Sequence, residues 1–185
     1  MKRPIPQVQT LAQESQALYD VLNKESDLAC VLISASYLDY ALASLLKHYF
    51  IESEIANKLL NPPRGALSAF ASRTDLSYCL GLIPKGLYQN LETIGEIRNA
   101  FAHSYLFLKL DHPEIAKLID KLTFPAVHTS ITIDGSNVKH NDPTSFARFT
   151  SPRDKFTVII VMMVNRLLLA ALATEHKDKH LKGWS

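Results

Sequence analysis

The amino-acid sequence predicts an all-α fold, in which 185 residues form a single-domain bundle of six or seven helices with one long non-helical or hairpin insertion. Three observations lead to this prediction. Apolar residues recur at intervals of three, four and seven along most of the chain, as in helices that bury one side. Residues that favour helix ends stand where these segments begin and stop. The length suits one domain with one hydrophobic core.

Residues with strong positional preferences mark the ends of the expected helices. Ser26 and Ser151 suit the caps of the second and the last helix, and Asp111 suits the cap of the sixth. Gly81 is expected to end the fourth helix in the left-handed conformation, and Pro84 suits the first turn of the fifth. In chain order, the predicted helices cover about 8–22, 26–50, 51–60, 66–80, 84–103, 111–122 and 151–176.

The second and the last helix are the most apolar segments, and we expect both to lie in the core of the bundle. The run from Phe156 to Ala173 is long enough to suggest a membrane span, but Asn165 and Arg166 interrupt it near its middle. A charged side chain at that place is costly in hydrocarbon. We therefore predict a core helix, in a protein that has no membrane partner.

The region 123–150 lacks a helical pattern. Its segment 127–133 alternates and is rich in β-branched residues, and an Asp-Gly turn signal follows, so a hairpin or an extended loop is expected. The helical core is expected to span about 8–176, and the polar residues 177–185 form a tail outside it.

Charge and composition exclude several classes of protein. The net charge of +2, with scattered Lys and Arg, provides no field to recruit nucleic acid, and no helix-turn-helix with a basic recognition helix is present. The N-terminus lacks the apolar run of a signal peptide, and Cys30 and Cys79 lie in apolar helical patterns that suit buried free thiols. A cytoplasmic protein is expected. No motif for a metal or a cofactor occurs, so we expect neither.

The fifth predicted helix has an apolar side and a polar side, because each residue turns it by roughly 100°. The polar stripe consists of Glu92, Glu96, Asn99 and His103. Arg98 falls instead on the apolar side. Its guanidinium must therefore reach solvent, pair with a carboxylate such as Asp39 or Asp75, or contact a second subunit.

The end of this helix matches a motif of known proteins. Residues 98–103 read Arg-Asn-Ala-Phe-Ala-His and resemble the R-x4-6-H motif of the HEPN superfamily. The wider stretch 66–122 resembles the mannitol operon repressor (MltR) family more specifically. The upstream residues that carry this resemblance are Arg73, Leu76, Tyr78, Leu80, Gly81, Leu82 and Ile83. The resemblance implies an all-helical protein that controls a sugar-uptake operon.

Three functions are compatible with these features. The first is a transcriptional regulator that resembles the mannitol operon repressor and acts through protein partners rather than by reading DNA directly. The second is a metal-independent endoribonuclease of the HEPN type. For such enzymes the resemblance implies a site shared by two subunits, in which Arg98 holds the phosphate, Asn99 orients the reacting groups and His103 is the general acid or base. The third is a non-catalytic dimeric interaction module.

Two carboxylates favour the non-enzymatic alternatives. Glu92 and Glu96 share the polar stripe with His103 and would repel the phosphate of an RNA substrate. We therefore expect a homodimer that binds a protein partner, while RNA is the partner that the ribonuclease alternative requires. The expected binding or interface residues are Arg73, Glu96, Arg98 and His103.

Overall fold

Seven α-helices form the described part of this computed structural model, which covers residues 8–61, 65–104, 108–124 and 149–174. No strand occurs in these ranges, so the predicted all-α fold is confirmed. The helices are α1 (Val8–Lys24), α2 (Asp27–Tyr49), α3 (Glu54–Leu60), α4 (Phe70–Cys79), α5 (Lys85–His103), α6 (Pro113–Lys121) and α7 (Pro152–Ala173). Most of the predicted insertion and the whole predicted tail lie outside the described residues.

Helix α2 lies at the centre of the bundle. It packs against α1, α3, α4, α5 and α7, most extensively against α7. Both α2 and α7 are long and apolar enough to cross a membrane by length and composition alone, and in this structure they pack against each other. Their fully buried side chains include Leu38, Leu42, Leu45, Phe156, Ile159 and Leu167. The predicted core position of both helices is confirmed.

The serine caps that the sequence predicts are present at α2 and α7. Ser26 Oγ accepts the backbone N–H of Ala29 at 3.3 Å, and Ser151 Oγ accepts that of Asp154 at 3.1 Å. Each hydroxyl thus satisfies one of the N–H groups that the first turn of a helix leaves without a partner.

The predicted cap of α6 is wrong. His112, and not Asp111, is the residue before the first helical position, which Pro113 occupies. Proline fits that position because its missing N–H needs no partner there. The helix therefore begins at the proline, and the cap falls one residue after the aspartate.

A tight turn at Gly81 folds α5 back along α4. Gly81 has a φ of +70°, the left-handed conformation that the sequence predicts. The N–H groups of Gly81 and Leu82 donate to the carbonyls of Tyr78 and Ser77, each at 2.9 Å, which is the Schellman ending of a helix. This ending sets the antiparallel pairing of α4 with α5.

Helix α4 begins at Phe70, later than the sequence predicts. The ring of Phe70 lies beside Gly95 of α5, where an added Cβ would be 3.8 Å from Phe70 Cε1. Because the two helices are antiparallel, the first residue of α4 lies beside the middle of α5.

An arginine near the start of α7 joins three segments of the chain. Arg153 forms an ion pair with Asp27, and its Nη2 donates to the carbonyls of Leu22 and Glu25 at 2.6 and 2.5 Å. Asp27 Oδ2 also accepts the N–H of Leu110 at 2.8 Å. These contacts fasten the α1–α2 connection to α7 and to the residues that precede α6.

One cysteine that was predicted to be buried is exposed. Cys79 follows the buried Ser77 by two residues, and two residues turn a helix by about 200°, which moves the side chain to the outer side. Leu28, in the first turn of α2, is also exposed. Cys30 is a buried free thiol, as predicted.

Candidate functional site

Arg73 is buried between α4 and α2, with 5% of its side chain exposed. Its Nη1 lies 2.6 Å from Asp39 Oδ2, and its Nη2 and Nε donate to the carbonyls of Leu60 and Leu67, each at 2.7 Å. All of these acceptors belong to the same chain. The prediction that Arg73 is a binding or interface residue is therefore corrected: this arginine anchors the α3–α4 connection to α2.

Arg98 is exposed at the C-terminal end of α5. Of the three alternatives for its guanidinium, access to solvent is the one that the structure of this chain shows. Arg98 Nη1 donates to Asn99 Oδ1 at 2.9 Å and belongs to none of the ion pairs among the described residues. The suggested pairing of Arg98 with Asp39 is wrong, because that carboxylate pairs with Arg73.

The other predicted site residues of α5 share this exposure. Glu96, Asn99 and His103 are all accessible from solvent, as the polar stripe requires. The convergence of Arg98 and His103 between two subunits stays a prediction, since the structure describes one chain.

A cluster of two tyrosines and two carboxylates lies where α4 and α5 pair. The rings of Tyr78 and Tyr88 are 4.7 Å apart between centroids and tilted by 32°. The hydroxyl of Tyr88 lies 3.2 Å from Asp75 Oδ1 and 3.0 Å from Glu92 Oε1. A phenol has one hydrogen to donate, so it satisfies one of these carboxylates at a time.

Three exposed carboxylates and this tyrosine pair make one continuous surface, which we call the acidic face. Its members are Asp75, Tyr78, Tyr88, Glu92 and Glu96. Glu96 follows Glu92 by one helical turn on the same side of α5. None of the three carboxylates forms an ion pair with a cation in the part of the chain that the structure describes. The acidic face therefore has three carboxylates without an ion-pair partner among the described residues.

The carboxylates of this face change the pKa of the Tyr88 hydroxyl. Its hydrogen bond to Glu92, its partial desolvation and the nearby Asp75 raise the pKa of Tyr88 to about 12. The folded-state pKa exceeds the ordinary value of 10.0, so the neutral phenol stabilises the fold below pH 10 and this contribution is lost as the pH rises through 12.

We expect Glu92→Gln to move the pKa of Tyr88 down towards its ordinary value, because the hydrogen bond to a carboxylate is the main cause of the shift. A pH titration of ring-labelled tyrosine by NMR measures this pKa. Glu96→Gln is the control, and it should leave the titration of Tyr88 close to that of the unmodified protein. An unchanged Tyr88 pKa in Glu92→Gln would contradict the hydrogen bond.

Among the described residues, no group of three or more His, Cys, Asp or Glu side chains could hold a metal ion. A hollow of about 820 Å³ opens between the starts of α2 and α7 and the end of α5. Four charged residues line it, Asp27, Lys109, Asp111 and Arg153, and of these Asp27 and Arg153 pair with each other, which indicates a structural role for both.

The fold matches that of a solved structure. The X-ray structure of the MtlR–HPr complex from Escherichia coli aligns with a TM-score of 0.62, over 83% of this chain and 97% of that chain, at 17% sequence identity. The fold is that of MtlR. No protein-family model and no curated protein matches the sequence. The predicted resemblance to the mannitol operon repressor is thus confirmed at the level of the MtlR fold, and the HEPN motif stays a sequence prediction.

The tyrosine–carboxylate cluster is the part of the site that the sequence analysis missed. Tyr88 and Glu92 are four residues apart on one helix, a spacing at which side chains contact each other. Asp75 and Tyr78 precede the glycine turn on α4 and face the early turns of α5. The antiparallel geometry that Gly81 implies was the signal that could have brought these four residues together.

Proposed function

We propose that this chain is a non-catalytic regulatory protein that binds a protein partner through the acidic face. The observation that carries the proposal is the set of exposed carboxylates of Asp75, Glu92 and Glu96, which no cation of the described residues neutralises. The MtlR fold, solved in a complex with HPr, supports a protein as the partner. In line with the family that the sequence resembles, such binding would control transcription without direct reading of DNA.

Basic side chains of a partner protein would bind the carboxylates of this face. A Lys or Arg placed between Glu92 and Glu96 gains charge-assisted hydrogen bonds to carboxylates that have unused acceptor positions. The ring of Tyr78, which is 40% exposed, offers a flat surface on which a guanidinium can stack. The Tyr88 hydroxyl fills one acceptor position only, which leaves further positions on Asp75 and Glu92 for the partner.

We propose that the partner is the HPr protein of the same organism or a protein similar to it. HPr is the protein bound to MtlR in the Escherichia coli complex. Because the acidic face acts through exposed charges, we expect this association to weaken as the salt concentration rises.

Titration calorimetry of the purified chain with HPr tests the proposal. The double variant Glu92→Gln/Glu96→Gln should bind at least about tenfold more weakly, because it loses two attractive charge contacts and keeps its side-chain shape. The matched control is Asp111→Asn/Glu114→Gln, which removes two exposed carboxylates around the start of α6 and should bind like the unmodified chain. Equal loss of affinity in both double variants would show that net charge alone matters and would contradict a docking role for the acidic face.

The ribonuclease alternative rests on one observation, the joint exposure of Arg98, Asn99 and His103 at the end of α5. The exposed Glu96 lies within the same two turns and disfavours a phosphate ligand there. We expect the unmodified protein and His103→Ala to show the same background when they are incubated with RNA in excess EDTA. Cleavage that His103→Ala abolishes would establish the enzyme and displace the non-catalytic proposal.

A further inference from the structure

A hollow of about 350 Å³ lies where α1, α2 and α7 meet. None of the described residues that line it belongs to α4 or α5, which carry the acidic face. Its volume is within the range of roughly 300–1,000 Å³ that is usual for small-molecule sites in proteins. Three helices contribute side chains to its wall, so the packing of the bundle determines its shape. The hollow therefore has the size and the setting of a site for a small molecule.

Aliphatic side chains make up much of the wall of this hollow. They belong to Leu11, Leu18, Val21, Val164 and Leu168. Four of them are buried, whereas Val21 is 42% exposed. An apolar group bound in the hollow removes apolar surface of this wall from water, which favours binding. The wall therefore suits a ligand with an apolar body.

The charged and aromatic groups of the wall favour a cation. Glu14 is the one charged side chain among the described residues that line the hollow, and it belongs to none of the ion pairs of the described ranges. Asn165 Oδ1 lies 2.9 Å from Ser15 Oγ, and a carbonyl oxygen has a second acceptor position for an N–H group. Tyr37 and Tyr40 also line the hollow, and the face of a phenol ring attracts a cation.

We propose that this hollow binds a small organic ammonium ion with an apolar body. The Glu14 carboxylate provides the opposite charge, the two tyrosine rings provide aromatic faces, and Asn165 accepts an N–H of the ammonium group. The apolar body packs against Leu18 and Leu168. The site shares no residue with the acidic face, so it is independent of the proposed binding of a protein partner.

An NMR titration of the full chain with phenethylammonium tests the preference for a cation. We expect this compound to bind with a Kd of about 1 mM or tighter. The neutral 2-phenylethanol and the anionic phenylacetate have a similar shape, and each should bind at least about tenfold more weakly, because neither gains the attraction of the carboxylate and the aromatic rings. Equal affinity for the three compounds would overturn the proposal.

A substitution at Glu14 locates the charge contact. Glu14→Gln should weaken the binding of phenethylammonium at least about fivefold and leave that of 2-phenylethanol unchanged, because it removes the charge and keeps the side-chain shape. The matched control is Asp20→Asn, which removes an exposed carboxylate of α1 that does not line the hollow. This control should bind phenethylammonium like the unmodified chain.

A larger side chain at Ala17 tests the position of the site. Ala17 lines the hollow and is exposed, so Ala17→Phe should leave the fold intact while its ring obstructs the ligand. Phenethylammonium should then bind at least about tenfold more weakly. An unmodified chain that binds none of the three compounds at millimolar concentrations would contradict the proposal. So would equal losses of affinity in Glu14→Gln and Asp20→Asn, or undiminished binding by Ala17→Phe.

Discussion

Replacement of Arg73 by methionine is expected to lower the free energy of unfolding by about 3 kcal/mol, the lower end of the range for a broken buried ion pair, since Asp39 retains 35% side-chain exposure. Methionine keeps an unbranched apolar stem but donates no hydrogen bond. The Asp39 carboxylate loses its cation, and the carbonyls of Leu60 and Leu67 lose their donors in a place that water reaches poorly. Urea denaturation followed by circular dichroism measures the change.

Arg98→Met is the matched control for this prediction. It removes the same functional group from an exposed position, where the guanidinium donates a single hydrogen bond to Asn99, and it should change the free energy of unfolding by less than about 0.5 kcal/mol. If Arg73→Met and Arg98→Met have equally small effects, the Arg73 network does not stabilise the α3–α4 connection.

Replacement of Arg153 by methionine is expected to lower the free energy of unfolding by about 2–3 kcal/mol. The substitution breaks the ion pair to Asp27 and two hydrogen bonds to the carbonyls of Leu22 and Glu25. Asp27 then stays partly buried without its cation, although it keeps the N–H of Leu110 as a donor. Thermal and urea unfolding both report this loss.

The control for Arg153 lies on the same turn of α7. Lys155 Nζ is 3.8 Å from Asp120 Oδ1, and it donates a hydrogen bond of 3.0 Å to the carbonyl of Asp120. The Asp120 side chain is 78% exposed, and an ion pair with so exposed a carboxylate contributes about 0–1 kcal/mol. Lys155→Met should therefore destabilise the protein much less than Arg153→Met. Equal destabilisation would contradict the specific role of the Arg153 network and would point to charge at the start of α7 instead.

Local signals predicted the helix ends well. The caps at Ser26 and Ser151 and the left-handed Gly81 depend on backbone groups within about one turn of each residue. Such groups are close in sequence as well as in space, so their positions can be read from a short window. At α6 the predicted cap was wrong by one residue, because the helix begins at Pro113 and its cap is His112 rather than Asp111.

Contacts between distant segments could not be predicted in the same way. A helical wheel places Arg98 on the apolar side of α5 but does not decide between access to solvent, an ion pair and a subunit contact. The exposure of Arg98 at the end of α5 is seen only in the packed structure. The partners of Arg73 are likewise up to 34 residues away in sequence.

The acidic face could be predicted from the sequence only in part. Tyr88 and Glu92 are neighbours on one helix, so their contact follows from spacing alone. Their approach to Asp75 and Tyr78 depends on the turn between α4 and α5. Gly81 predicted that turn, but it did not predict which side chains of the two helices would meet. The sequence could therefore indicate an acidic helix, but the contact between the tilted tyrosine rings and the shared hydroxyl required the packing of both helices.

Hydrogen exchange of the chain, alone and with saturating HPr, is the most direct measurement of whether a protein partner binds at the acidic face. We predict slower exchange in α4 and in the first three turns of α5 on binding, with little change in α3 and α7. The variant Glu92→Gln/Glu96→Gln should lose this protection at the same HPr concentration. Protection confined to other elements, with α4 and α5 exchanging as in the free protein, would contradict the proposed binding face.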